Sequence, residues 1–144
     1  VIYDGGFVKE NNIKFEIGKA IQIGDGTDAS IIATGVTVSE ALKAQEVLKE
    51  KGINVRVIDV HTIKPLDKEM IIKCAKETKR IITIEDHSII GGLGTAVCEV
   101  LSENFPAKVT RIGINDTFGE SGKAEELLKK YNLNSEYLVK ILSK

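Results

Sequence analysis

The stretch from Arg80 to Cys98, RIITIEDHSIIGGLGTAVC, narrows the folds open to this chain more than any other. Ile81, Ile82 and Ile84 make a short β-branched apolar run, the pattern of a strand buried on both faces. The run gives way to Glu85-Asp86-His87, three charged or titratable side chains that suit an exposed tip at the strand's carboxyl end, where open α/β sheets place their sites. Gly91, Gly92 and Gly94 then free the backbone for a tight turn. Leu93, Ala96, Val97, Val100 and Leu101 follow at the spacing of a core-facing helix stripe. Strand, polar tip, glycine turn and helix in that order predict a βα unit.

The rest of the chain repeats the unit. Ser30 to Thr34 is a second apolar run, ended by Gly35. Thr37-Val38-Ser39-Glu40 has the form of a capping box and predicts a helix start, with Val38, Ala41, Leu42 and Leu48 on one face and Gly52 past the end. Asn54 to Val60 reads as a strand, and Asp67 as the N-cap of a helix through Lys79. Lys108 to Ile112 reads as a strand and Asn115 to Glu120 as a polar loop. Ser121 can cap a helix carrying Ala124, Leu127, Leu128 and Tyr131, and Asn134 opens a last helix whose staple is Leu133 with Leu138. Before all of these, residues 1–13 read as an arm or linker, and Phe15, Ile17, Ile21 and Ile23 alternate with polar neighbours as in an edge strand or ribbon. Strands alternating with helices predict an α/β fold, a mainly parallel sheet with helices on both faces, over residues 14–144. Both glycine turns then fall on one rim of that sheet.

A length of 144 residues suits one domain. Twenty basic residues against 21 acidic ones give a net charge of -1, no field to draw nucleic acid or an anionic membrane. No run approaches the ~20 apolar residues of a membrane span. Cys74 and Cys98 sit in helix patterns without zinc spacing and read as buried free thiols of a reducing, cytoplasmic setting. The chain begins at Val1, which suggests a processed chain or a piece of a longer one.

Two chemistries are open at the central element. Gly91, Gly92 and Gly94 can offer backbone N–H groups to an anion at a helix N-terminus, or can serve only as a turn that lets the helix pack close. The run lacks both the dinucleotide spacing and a phosphate-loop Lys. His87 beside Glu85 and Asp86 suits a general base or an interface contact. Neighbouring strand residues point to opposite faces, so Glu85 and His87 are the pair that can share one. His61 reads as a loop-packing residue. Gly24-Asp25-Gly26 with Asn54 resembles the thiamine diphosphate and magnesium motif, but a strand follows where the motif needs a helix, and Val55 stands where a second Asn belongs. It reads as a turn.

Gly18-Lys19-Ala20, Ile31-Ile32-Ala33-Thr34-Gly35, Val57-Ile58-Asp59, Thr62-Ile63-Lys64-Pro65-Leu66-Asp67, Ile84-Glu85-Asp86-His87, Gly91-Gly92-Leu93-Gly94 and Asp116-Thr117-Phe118-Gly119, in this order, resemble the carboxyl-terminal domain of transketolases. Deoxyxylulose-phosphate synthase and the β subunits of 2-oxo acid dehydrogenases are related alternatives, and an independent anion- or nucleotide-binding module is the alternative of another class. The resemblance implies a three-layer α/β/α domain with a mixed five-stranded sheet, the first strand antiparallel and Ser30 to Thr34 central. It implies a parent that moves a two-carbon ketol unit between sugar phosphates, as a cytoplasmic homodimer using thiamine diphosphate and Mg. The cofactor, metal and catalytic residues would belong to upstream domains, fused or on a separate subunit. This segment would then be inactive alone, with Glu85, Asp86, His87, Gly91, Gly92 and Gly94 as interface or anion contacts.

Overall fold

The computed structural model describes residues 18–61, 63, 65–88, 91–114, 124–130 and 132–144. The expected arm over 1–13, the Phe15 and Ile17 alternation, the 115–120 loop and the Ser121 cap lie outside the described residues. Within them the chain forms strands β1 (Ile21–Ile23), β2 (Ala29–Ala33), β3 (Val55–Asp59), β4 (Ile81–Ser88) and β5 (Val109–Ile114). Its helices are α1 (Thr37–Glu50), α2 (Lys68–Glu77), α3 (Leu93–Asn104), α4 (Ala124–Lys130) and α5 (Ser135–Leu142). The sheet runs β1-β3-β2-β4-β5, with β1 antiparallel to β3 and the other pairs parallel. This is the mixed sheet expected, with β2 at its centre.

Strand alternation divides the core in two. Ile31 and Ala33 of β2, Val55 and Val57 of β3 and Ile82 and Ile84 of β4 face α1, α4 and α5. Ile32, Ile58 and Ile81 face α2 and α3 through Ile71, Cys74, Leu93, Val97 and Leu101. Every residue of β2 and β3 is buried, Arg56 and Asp59 of β3 included, so the apolar residues of both strands fall on both faces rather than alternating. Burying each large aliphatic side chain here is worth about 1.5–3 kcal/mol.

Several local devices depart from the sequence reading. Gly35 turns the chain one residue early, so Val36 takes the N-cap position of α1 and Thr37 becomes a buried first-turn residue. The Thr37 hydroxyl donates to the Thr34 carbonyl at 2.5 Å, with the Ile84 carbonyl also within reach at 3.0 Å, and so ties α1 to the ends of β2 and β4. Glu40 does not close a capping box. Its carboxylate accepts from the Ser135 N–H of α5 at 3.1 Å and from Lys43 at 2.9 Å. Helix α2 stops at Glu77, where the Thr78 hydroxyl donates to the Cys74 carbonyl. The caps read at Asp67 and Asn134 are present, on Met70 N–H and Tyr137 N–H. Asp67 serves twice, since its second oxygen accepts from Ala20 N–H at 2.9 Å and fixes the entry to β1.

Both cysteines are free thiols, but only Cys74 is buried and Cys98 is half-buried. Burial pushes the Cys74 thiol up, against smaller opposing pulls from a Ser30 hydrogen bond and from Arg56 and Lys73. The folded chain therefore holds that proton to higher pH than the unfolded chain, so this group costs no stability below the ordinary thiol range and lowers stability as pH rises through it. A thiol reagent is expected to modify Cys98 first and Cys74 only as fast as the chain opens. Equal native rates at the two positions would show that Cys74 is accessible.

Candidate functional site at the carboxyl rim of the sheet

The rim is built by two connections that leave the sheet centre in opposite directions. From β2 the chain passes through α1 on one face to β3, and from β4 it passes through α3 on the other face to β5. The carboxyl ends of β2 and β4 are therefore the switch point of the sheet, the usual ligand position in open α/β folds. Gly35 and Gly91 to Gly94 flank it, as the sequence predicts.

The polar tip is not a tip. Strand β4 continues through Ser88, and Glu85 is 1% exposed. By alternation Glu85 shares the face of Thr83 and points under α3, whereas Asp86 faces Gly35, whose ideal Cβ position lies 3.5 Å from its carboxylate. Glu85 Oε1 accepts from Leu93 N–H at 2.9 Å, and Oε2 accepts from Gly94 N–H at 2.8 Å. Helix α3 opens on glycine at its N-cap and has no acidic residue in its first turn. A carboxylate eight residues upstream supplies the cap instead, at the positive end of the helix dipole and through two charge-assisted hydrogen bonds. Burying a carboxylate is costly unless it is paired in this way.

Gly94 makes the arrangement possible. A Cβ there would lie 2.8 Å from Arg111 Cδ and 3.0 Å from Thr83 Oγ1, so α3 approaches β4 and β5 only because that position is bare. The structural account of the glycine turn is thus supported by geometry. The N–H groups of Leu93 and Gly94, offered in sequence to an external anion, are already used by Glu85. The His87 side chain lies outside the described residues, and His61 is exposed at the end of β3.

On the α2 and α3 side of the rim lies an open cleft of about 540 Å³, walled by Ile63, Pro65 and Leu66 and by Gly91, Gly92 and Val100. Lys68 and Glu99 line its edges. Sequence reasoning missed Thr37 as the bolt between α1 and β4. Its position three residues before a glutamate points to a cap and hides the bolt.

The second glycine motif is explained by backbone contacts. Gly26 lies so close to Asn54 that a Cβ would sit 2.3 Å from the Asn54 carbonyl carbon and oxygen. Asp28 and Asn54 exchange hydrogen bonds, Asp28 N–H to the Asn54 carbonyl at 3.0 Å and Asn54 N–H to Asp28 Oδ2 at 2.7 Å. Glycine and asparagine meet here as the closure between the β1–β2 turn and β3, at the rim opposite to Glu85. Among the described residues no group of three His, Cys, Asp or Glu side chains is placed to hold a metal ion. No helix among them is long and apolar enough to cross a membrane.

Comparison with known proteins gives the same architecture. Residues 18–138 match the family model described as transketolase, C-terminal domain. A putative transketolase C-terminal section of Methanocaldococcus jannaschii is 52% identical over 141 residues, 97% of this chain and 42% of that protein. An apulose-4-phosphate transketolase subunit of Phocaeicola vulgatus is 48% identical over 132 residues, 92% of this chain and 42% of that protein. A solved structure described as a split gene transketolase, an inactive β4 tetramer, superposes with a TM-score of 0.84 at 42% identity, covering 92% of this chain and 43% of that one. The chain spans about two fifths of the length of these relatives. With the family match running from the entry to β1 into α5 and the backbone following it, the chain belongs to the transketolase family, as its C-terminal domain.

Proposed function

We propose that this chain completes the fold and the subunit interface of a transketolase whose thiamine-bearing part is supplied upstream, fused or as a separate subunit. The observation that carries the reading is the match of 97% of the chain to a protein that is itself a C-terminal section, with a second relative named as a subunit. The parent would move a two-carbon ketol unit between sugar phosphates and would work as a cytoplasmic homodimer. Free cysteines, with no disulfide among the described residues, agree with a reducing compartment.

The thiamine diphosphate and Mg of such a parent do not fit the described residues. Gly26 is packed on the Asn54 backbone, and Asn54 N–H is already bonded to Asp28. Glu85, the best-placed carboxylate of the rim, has both oxygens on α3. The remaining rim residues, Asp86, His87, Gly91 and Gly92, are proposed as contacts to the upstream part.

The test is reconstitution. The chain alone is expected to give no turnover of xylulose 5-phosphate with ribose 5-phosphate, and pairing it with the thiamine-bearing part in the presence of cofactor and Mg is expected to give sustained turnover. Turnover by the chain alone, or no dependence of the paired activity on this chain, would overturn the reading.

A further inference from the structure

We propose that the N-terminus of α3 is an oxyanion cradle that the chain keeps filled with its own Glu85 carboxylate, and that this closes the glycine rim to free carboxylate and phosphate ligands. The inference rests on how completely the cradle is built. Two successive N–H groups, Leu93 and Gly94, converge on the two oxygens of one anion at 2.9 and 2.8 Å. The anion is 1% exposed. Glycines at 91, 92 and 94 supply no side chain that could cap the helix in its place.

A further donor stands at the same corner. Thr83 is fully buried, and its hydroxyl finds no hydrogen-bond partner among the described residues. It lies 3.0 Å from the point where a Cβ on Gly94 would sit, beside the N–H that holds Glu85 Oε2. Two backbone donors on the two oxygens of a dry carboxylate are what an oxyanion site provides at a helix N-terminus, and the spare Thr83 hydroxyl stands beside Gly94 without bonding the carboxylate. The difference is that the occupant is tethered. A tethered carboxylate competes at a high effective concentration, so free anions do not displace it. The glycine rim that sequence leaves open to a sugar phosphate or nucleotide is in this way reserved for a protein surface.

Removing the tethered anion should reopen the cradle to a small one. Glu85→Ala leaves room for formate or acetate, which carry the same carboxylate without the tether. Thermal unfolding of the full chain would be followed with sodium formate against sodium chloride at matched ionic strength. In Glu85→Ala, formate is expected to raise the midpoint saturably. At ten times its dissociation constant the folded-to-unfolded ratio should rise about tenfold. The native chain should show no such rise, and amide signals of Leu93 and Gly94 should move with formate only in the variant.

An equal formate response in native chain and variant would overturn the proposal, as would formate- or phosphate-induced shifts at Leu93 and Gly94 in the native chain. If Glu85→Ala does not fold, Glu85→Gln keeps the length but only one acceptor oxygen. It should then lose hydrogen-exchange protection at one of the two amides, and unchanged protection at both would overturn the proposal. None of these readouts involves turnover, so failure here and failure of reconstitution are separate results.

Discussion

Gly26→Ala is expected to lower stability by about 3 kcal/mol or more, at the upper end of what overpacking costs. For a chain of this length that moves the melting midpoint down by roughly 10 °C. The Cβ would lie 2.3 Å from the Asn54 carbonyl carbon and oxygen and 2.5 Å from Val55 N, all backbone atoms that no rotamer change can move aside. Relief requires that the start of β3 shift. That shift would break the paired hydrogen bonds between Asp28 and Asn54 and the Arg56 Nε–H donation to the Gly26 carbonyl at 2.8 Å. Arg56 is 2% exposed and also pairs with Glu77, so its displacement reaches α2. Gly52→Ala is the control. Gly52 has a φ of 79° but nothing within 4 Å of its ideal Cβ, so only the left-handed backbone is penalised, at about 1–2 kcal/mol. Urea midpoints of the two variants check the order. A Gly26→Ala chain no less stable than Gly52→Ala would mean that the β1–β2 turn yields freely and the contact is not structural.

The same residues show what sequence can and cannot say here. Strands β2 and β3 and the first half of β4 were legible because their β-branched residues fall in segments too short for a helix and bounded by turn signals. Asn134 with its staple and Asp67 were legible because a cap and its partner N–H lie within one turn. Glu85 was not. Charge in a sequence ordinarily means exposure, and the reason for its burial lies eight residues on, in a helix that starts on glycines and cannot cap itself. A usable signal was present: an acid at the same strand parity as Ile81 and Thr83, followed by a helix start without a capping side chain. Glu40 failed in the opposite way. A local box was satisfied on paper, while the carboxylate serves Ser135, 95 residues away. Tertiary partners of that separation leave no local trace.

Leu138→Ala is expected to cost about 2–5 kcal/mol, because the side chain is fully buried and the space it leaves is walled by other elements. Helix α5 has eight residues and would not persist on its own. What keeps it folded is its seat on α1. Leu138 and Leu142 enter the same core as Val38, Ala41 and Leu48, and Leu133 packs there from the residue before the N-cap. Polar contacts fix the helix ends: Glu40 accepts from Ser135 N–H at the start, and Arg80 donates to the Ile141 carbonyl at 3.0 Å near the finish. Those contacts set register, and each is worth only about 1 kcal/mol. The loss in Leu138→Ala should therefore exceed that in Arg80→Ala severalfold in chemical unfolding. It should also speed amide exchange in α5 more than in α2, which packs on the opposite face. Equal losses in the two variants would place the helix at the margin of the fold rather than in its core, and would leave the α1 face of the sheet to be covered by another part of the protein.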